Sequence, residues 1–256
     1  MKGRIHIKIA NFIWLTVLSM AFAGCVKTMA EEVVPERYNH TTLAGASARD
    51  LLSEDRFKKL TVEIQYMPGN EPKKGAVREI EKFLEQYLNK PEGIDVTVTE
   101  IEAAKDSVLS VNDIIGLENR YRTKYTRDKE IALYVLITNG KSWSENALGF
   151  AYRNTSVVLF GKHIADHSDK FKKPSRSDLQ SRVMQHEFGH LLGLVNTGAE
   201  PQSDHQDHEH GKHCKNKWCL MYYLTDTDDY PSVLLKKDPP KLGDECIADL
   251  KAMGGK

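Results

Sequence analysis

The segment at residues 185–193 constrains this chain more than any other, because it reads Gln-His-Glu-Phe-Gly-His-Leu-Leu-Gly. On a helix, His186 and His190 lie one turn apart on the same face, where two imidazoles can bind one Zn²⁺. Glu187 then lies beside the ion and can deprotonate a zinc-bound water. The pattern therefore predicts a helix that carries part of a catalytic zinc site.

The flanking residues support a helix of this kind. Either Ser175 or Ser177 can cap its start, and Gly193 offers the left-handed backbone with which helices commonly end. Apolar side chains for packing come from Val183, Phe188, Leu191 and Leu192. The two histidines are therefore expected in its last turns.

A second motif follows at residues 213–223, which read His-Cys-Lys-Asn-Lys-Trp-Cys-Leu-Met-Tyr-Tyr. Together with Gly193, this pattern resembles the metzincin clan of zinc peptidases with its Met-turn. More narrowly it is similar to the archaemetzincins and to the lipoprotein "membrane metalloproteases" of Bacteroidetes, through most of the mature chain. The resemblance implies an α+β zincin: a twisted mixed β-sheet packed on an active-site helix, with a smaller C-terminal subdomain that contains the Met-turn.

The composition is that of a soluble globular domain. The 256 residues are 40% hydrophobic and 28% charged, enough for one domain with a sizeable core. Lys plus Arg equals Asp plus Glu, 36 each, so the net charge is zero. Nothing in this balance favours nucleic acid or an anionic membrane surface as a partner.

The N-terminus has the features of an export signal. Basic Lys2, Arg4 and Lys8 precede a mostly apolar run over residues 9–23. Residues 21–25, Ala-Phe-Ala-Gly-Cys, resemble a bacterial lipobox with Phe22 in place of the usual Leu. This predicts a signal peptide at residues 1–24 and lipid on Cys25. An ordinary secretory signal and an uncleaved anchor are the alternatives, and all three place the rest of the chain outside the cytoplasm.

The remaining chain divides into a tether and a domain. Residues 25–55 have little periodicity and are expected to link the anchor to a domain at residues 56–256. Within the domain, apolar patterns and turn residues predict most of the elements, and the helix near 111–121 is expected in a mostly polar passage. Strands are expected at residues 60–66, 94–98 and 130–138 and as a pair within 147–160; helices are expected at residues 74–88, near 111–121 and at 242–253.

One of these strands has a predicted role in binding. Residues 148–151, Leu-Gly-Phe-Ala, resemble the edge strand above the metzincin cleft. The resemblance implies that a peptide or protein substrate pairs with this strand by main-chain hydrogen bonds. An ordinary strand with a glycine bulge is the alternative.

The third zinc ligand is where the sequence departs from the family. The usual metzincin histidine would stand at residue 196, which is Asn196, a poor ligand. We expect His213 instead, because it directly precedes Cys214 and keeps the archaemetzincin spacing to Met221. His205 is the alternative. The remaining loop histidines, His208 and His210, are expected in solvent.

The resemblance also implies roles for residues near the zinc. Glu187 is the expected general base, and Met221 is expected to pack beneath the ion. Tyr223 matches the Met-x-Tyr of astacin-like and serralysin-like metzincins, in which the phenol assists zinc or the oxyanion. Tyr222 and Tyr223 can equally be wall residues.

Cys214, Cys219 and Cys246 remain if Cys25 carries lipid. Archaemetzincins bind a second, structural zinc with four cysteines, the last two as Cys-x-x-Cys, but here Asp249 follows Cys246 at that spacing. The three thiolates can share a second zinc with one further ligand. We expect instead a disulfide between Cys214 and Cys219 with Cys246 left buried, because export favours oxidation.

These features predict a monomeric, exported zinc endopeptidase in the bacterial cell envelope. It would be lipid-anchored, on the outer membrane or facing the periplasm or the exterior, and would touch the membrane through its lipid only. The alternative is a zinc-binding surface lipoprotein without turnover that acts as a binding or adhesion module, although the intact Glu187 argues against it. A protease restricted to one envelope partner would have the same sequence features.

Overall fold

The computed structural model describes residues 37–105, 107–144, 147–171, 173–226 and 240–256. Arg37–Lys256 form one compact unit. The predicted signal peptide, Cys25 and the first part of the predicted tether lie outside the described residues. So does most of the stretch between the second motif and Pro240.

A mixed five-stranded sheet forms the centre of the domain. Its strands are β1 (Lys59–Tyr66), β2 (Ile94–Glu100), β4 (Glu130–Thr138), β6 (Gly149–Arg153) and β7 (Ser156–Phe160), in the order β2-β1-β4-β7-β6. Four are parallel, and β6 runs antiparallel to β7 at one edge. The central strand β4 is buried from Ile131 onward, as its continuous apolar run predicts. The predicted α+β class with a mixed sheet is confirmed.

Helices cover both faces of the sheet. On one face, α2 (Lys74–Tyr87) and α5 (Arg176–Leu191) enclose the larger core with side chains such as Ile80, Leu84 and Val183. On the other face, α3 (Val111–Tyr121) contributes Ile114 to a smaller core around Tyr134 and Phe160. The buried face of α2 follows the predicted helical spacing, whereas α3 is the helix expected in a mostly polar passage.

Helix α5 carries the first motif, and its two ends are defined locally. The Ser175 hydroxyl accepts a hydrogen bond from the Asp178 backbone N–H at 3.1 Å, which caps the first turn. After Leu191 the chain leaves the helix through Gly193, whose φ is +81°. A Cβ there would lie 2.5 Å from the Ala199 backbone nitrogen, so only glycine fits. His186 and His190 thus lie in the last turns, as predicted.

The predicted tether at residues 25–55 does not extend as far as expected, because the compact unit begins at Arg37. A short helix α1 (Ala48–Leu52) buries Ala48, Leu51 and Leu52 in the core. The buried Lys90 ammonium donates hydrogen bonds to the carbonyl oxygens of Asp50, Ser53 and Phe57 and so fixes the chain after this helix. A single helical turn is too short to give a periodic signal in the sequence.

Several short elements complete the fold. Strands β3 (Val108–Leu109) and β5 (Lys141–Ser142) form a parallel pair, and α4 (Gly161–Asp166) follows β7. Beyond α5, β8 (Gln206–Asp207) pairs antiparallel with β9 (His213–Cys214), a 3₁₀ turn spans Tyr223–Asp226, and α6 (Asp244–Ala252) is the predicted C-terminal helix. The hairpin and the turn carry the second motif, and the hairpin is the element that brings it close to α5.

Candidate metal centres

Three histidine side chains from two elements converge. His186 and His190 project from α5, and His213 projects from β9. One ring nitrogen from each lies within 4.8 Å of the other two. The Nε2 atoms of His186 and His190 are 3.1 Å apart. Nitrogen ligands of one tetrahedral zinc lie about 3.3 Å apart, so the spacing of this pair fits a shared ion.

Backbone carbonyls fix the orientation of two of these rings. His186 Nδ1 donates to the carbonyl oxygen of Leu220 at 2.8 Å, and His213 Nδ1 donates to that of His210 at 2.7 Å. A carbonyl can only accept, so the proton is assigned to Nδ1 and the lone pair to Nε2 in both rings. Both therefore present Nε2 as the ligand atom.

The surroundings keep the imidazoles neutral. Burial lowers the pKa of His186 well below its usual value, and the neighbouring His190 and His213 lower it further. Burial, followed by His213, lowers the pKa of His190 to about 3. A neutral imidazole is the form that binds metal.

Glu187 and Met221 flank the three histidines. The Glu187 side chain is 1% exposed, and its Cγ would lie 3.4 Å from a Cβ at Gly149 of the edge strand β6. On the other side, a Cβ at Gly189 would lie 2.3 Å from the Met221 sulfur, which is fully buried. The carboxylate is thus next to β6, and the methionine packs directly on the helix between the two histidines.

The other residues of the loop after α5 lie elsewhere. Asn196, at the family's usual ligand position, is exposed. The side chain of His208 is 79% exposed, as expected, but the His210 ring stacks on the Tyr223 ring with centroids 3.6 Å apart. The Tyr223 ring also lies beside the Tyr222 ring, with centroids 4.7 Å apart. The described contacts of Tyr223 are therefore with these two neighbours, and its catalytic role stays a prediction.

A second cluster contains the three remaining cysteines, all buried, together with His205. His205 Nδ1 is 3.5 Å from the sulfur of Cys214 and 3.9 Å from that of Cys246. The sulfurs of Cys219 and Cys246 are 3.6 Å apart. The structure thus places His205 with the cysteines, and not with the histidines of α5.

The expected disulfide between Cys214 and Cys219 is not formed, because all three thiols are free. Hydrogen bonding among the thiols lowers the pKa of Cys214 and raises the pKa values of Cys219 and Cys246. Three thiolates this close repel one another unless a cation lies between them. Sulfur and nitrogen ligands of a tetrahedral zinc lie about 3.5 to 3.8 Å apart. The separations of 3.5, 3.6 and 3.9 Å in this cluster are close to that geometry.

One partner in this cluster was not found from the sequence. His205 Nε2 and the Asp249 carboxylate lie 2.8 Å apart, and Asp249 is fully buried. Asp249 stands where the archaemetzincin pattern has its last cysteine. The acidic residue at that spacing is the available signal in the sequence, but the sequence does not show which histidine it contacts.

Among solved structures, archaemetzincin from Methanopyrus kandleri superimposes with a TM-score of 0.51 at 15% identity, over 77% of this chain and 97% of that chain. This match confirms the predicted resemblance at the level of the fold.

A second solved structure is metalloproteinase-II from Bacteroides fragilis, with a TM-score of 0.44 at 14% identity. The alignment covers 86% of this chain but only 58% of that chain, so this chain spans less than two thirds of its length. No protein-family model matches the sequence, and no curated protein does.

Proposed function

We propose that this protein is a zinc-dependent endopeptidase. The observation that carries the proposal is the convergence of His186, His190 and His213 beside the buried carboxylate of Glu187. Three neutral imidazoles leave a fourth position of a tetrahedral ion for water, which is the ligand set of catalytic zinc sites. A zinc ion bound there would lower the pKa of its water to about 7 and polarise a peptide carbonyl.

The chain's own residues supply the remaining steps. Glu187 accepts the proton of the attacking water and transfers it to the leaving amine. The Leu220 and His210 carbonyls hold His186 and His213 in the tautomer that binds metal. Met221 fills the space at Gly189 and keeps the helix and the turn below it in contact. We propose that the turn that contains Met221 is the Met-turn of the metzincin pattern.

The edge strand β6 supports a peptide as the substrate. In the described sheet β6 has a neighbour only on the β7 side, so its other side can pair with an extended chain. Gly149 brings this strand close to Glu187. A peptide paired with β6 would thus present its backbone near the carboxylate, with little demand on its side chains.

We further propose a second, structural zinc bound by Cys214, Cys219 and Cys246. Its support is that all three thiols are buried and free, that the Cys219 and Cys246 sulfurs lie 3.6 Å apart, and that the Cys214 and Cys246 sulfurs lie within 4.8 Å of each other. With one further protein ligand such a site would be closed, so that it contributes to folding and leaves no position for water. The first centre alone would be catalytic.

The experiment that tests the proposed activity is Glu187→Ala, compared with wild type and with Gln185→Ala as the control on the same helix. We expect Glu187→Ala to keep its zinc and to lose hydrolysis of unstructured protein substrates by about 10²- to 10⁴-fold, because only the proton acceptor is removed. Gln185→Ala should retain both. Zinc content by mass spectrometry and cleavage of casein or a fluorogenic peptide library are the measurements.

Two results would contradict the assignment. Loss of zinc in a folded Glu187→Ala protein would show that the carboxylate is a ligand. A wild-type protein that binds zinc at the three histidines but cleaves no peptide would favour the binding or adhesion module.

A further inference from the structure

We propose that His205 is the fourth ligand of the cysteine centre, and that this Cys3His centre holds the third catalytic histidine, His213, in place. The coupling between the centres rests on the proposed function, whereas the ligand assignment of His205 does not. In this proposal the cysteine centre binds a single zinc ion through three thiolates and one imidazole.

The Asp249 carboxylate determines which nitrogen of His205 can bind metal. At neutral pH a carboxylate only accepts, so the 2.8 Å contact places the proton on Nε2. In the neutral ring that metal binding requires, the lone pair is then on Nδ1, which is the atom that lies 3.5 Å and 3.9 Å from the sulfurs of Cys214 and Cys246. Carboxylates orient metal-binding histidines in this way. Asp249 is itself held, because it accepts from the Gln202 backbone N–H at 2.7 Å.

Two backbone donors near Cys219 would favour its thiolate once a metal ion is bound, although hydrogen bonding with Cys214 and burial raise the pKa of the free thiol. The backbone N–H groups of Met221 and Gly243 approach its sulfur at 3.4 Å and 3.2 Å. Such donors stabilise negative charge on the sulfur, as a metal-bound thiolate requires. Cys219 itself is fully buried, so bulk water does not stabilise that charge.

The hairpin of β8 and β9 links this centre to the three histidines. His205 directly precedes β8, and its carbonyl oxygen accepts from the Lys215 backbone N–H at 2.9 Å. Across the hairpin, Asp207 pairs with His213 and Gln206 pairs with Cys214. Fixing His205 and Cys214 on one ion therefore fixes the backbone of His213.

The cysteine centre is also connected to His186, a second proposed ligand of the catalytic zinc. Cys219 directly precedes Leu220, whose carbonyl oxygen orients His186. Cys214 is bonded to the same turn, because its N–H donates to the Met221 carbonyl at 2.7 Å. Loss of the buried ion would thus loosen both His213 and the acceptor of His186.

The test compares His205→Ala with His208→Ala, an exposed histidine of the same loop. Zinc per chain is measured by mass spectrometry, and zinc affinity at each centre by competition with a chelator. The thiolate-to-metal absorption of the Co²⁺-substituted protein reports the cysteine centre separately. We expect His205→Ala to weaken zinc at the cysteine centre by at least about 10-fold, as loss of even an outer partner does. The zinc affinity of the three-histidine centre should fall as well. His208→Ala should have the zinc affinity of wild type at both centres.

Two further variants keep the test informative if His205→Ala does not fold. His205→Cys restores a ligand, so it should retain two zinc ions per chain and show stronger thiolate absorption with Co²⁺. Asp249→Asn keeps the ligand but weakens its orientation, and we expect an intermediate loss of affinity at both centres.

Each negative result has a defined meaning. Unchanged affinity and absorption at the cysteine centre in His205→Ala would overturn the ligand assignment. A weakened cysteine centre with an unchanged three-histidine centre would overturn the coupling. If wild-type protein binds zinc only at the cysteines, the proposed peptidase function fails, while the Co²⁺ spectra of His205→Ala still decide the role of His205.

Discussion

At the scale of single residues, Gly149 determines how closely the edge strand approaches the zinc helix. A Cβ there would lie 2.9 Å from the Val158 carbonyl oxygen, 2.9 Å from Val183 Cγ1 and 3.4 Å from Glu187 Cγ. Backbone and helix side chains are thus both in the way. The position of Glu187 relative to a bound peptide depends on the absence of this one carbon.

Gly149→Ala is therefore expected to destabilise the protein and to reduce cleavage. Overpacking at such a site costs about 1 to 3 kcal/mol, because β6 and α5 must separate.

Gly116→Ala is the matched control: a Cβ at Gly116, inside α3, would meet no neighbouring atom within 4 Å. Alanine there should stabilise the helix by about 0.5 to 1 kcal/mol. Urea unfolding of the two variants measures both effects. If Gly149→Ala changes the free energy of unfolding by the same amount as Gly116→Ala, or stabilises the protein, then β6 and α5 are not tightly packed at Gly149.

Some residues of the two candidate metal centres can be predicted from the sequence, and others cannot. His186, Glu187 and His190 have fixed relations on one helix, so their placement follows from spacing alone. His213 was chosen by its spacing to Cys214 and Met221, and the structure brings it to the other two histidines. His205 could not be placed, because its partner Asp249 is distant in sequence and meets it only after α6 packs on the hairpin.

At the scale of elements, the predictable parts are the long ones with a clear period. The strand at Glu130–Thr138 has the predicted bounds, because its continuous apolar run is buried on both faces. The helix at Val111–Tyr121 also lies where it is expected, although it buries only Ile114 and Glu118. The pair β6 and β7 was expected within residues 147–160 and lies there, with β6 at the sheet edge.

Elements of two to six residues were not predictable. Helix α1, the β3–β5 pair and the β8–β9 hairpin contain too few residues to show a period. They form because the rest of the domain supplies their partners. The hairpin belongs to this group although it carries His213 and Cys214, so the element that joins the two candidate metal centres gives no local signal.

At the scale of the whole molecule, the described domain follows a predicted lipid-attachment site at Cys25 in the sequence. Among the described residues, no helix is long and apolar enough to cross a membrane. We propose that Cys25 carries the lipid that attaches the domain to the cell envelope, with the lipobox resemblance of residues 21–25 as the support.

Cys25→Ser is expected to release the protein from the membrane fraction, since a hydroxyl cannot replace the lipidated thiol. Phe22→Leu, which restores the usual lipobox residue, should stay membrane-bound and serves as the control. Immunoblots of fractionated cells provide the measurement. Membrane association of Cys25→Ser equal to wild type would remove the lipoprotein assignment and leave the zinc domain unaffected.

The most direct test of the central claim is anomalous scattering at the zinc edge from crystals of the purified protein. We expect an ion about 2.0 to 2.1 Å from Nε2 of His186, His190 and His213, with water in the fourth position. A second ion is expected among Cys214, Cys219, Cys246 and His205. Absence of zinc at the three histidines when zinc is supplied, or a fourth protein side chain that closes the site, would contradict the proposed peptidase.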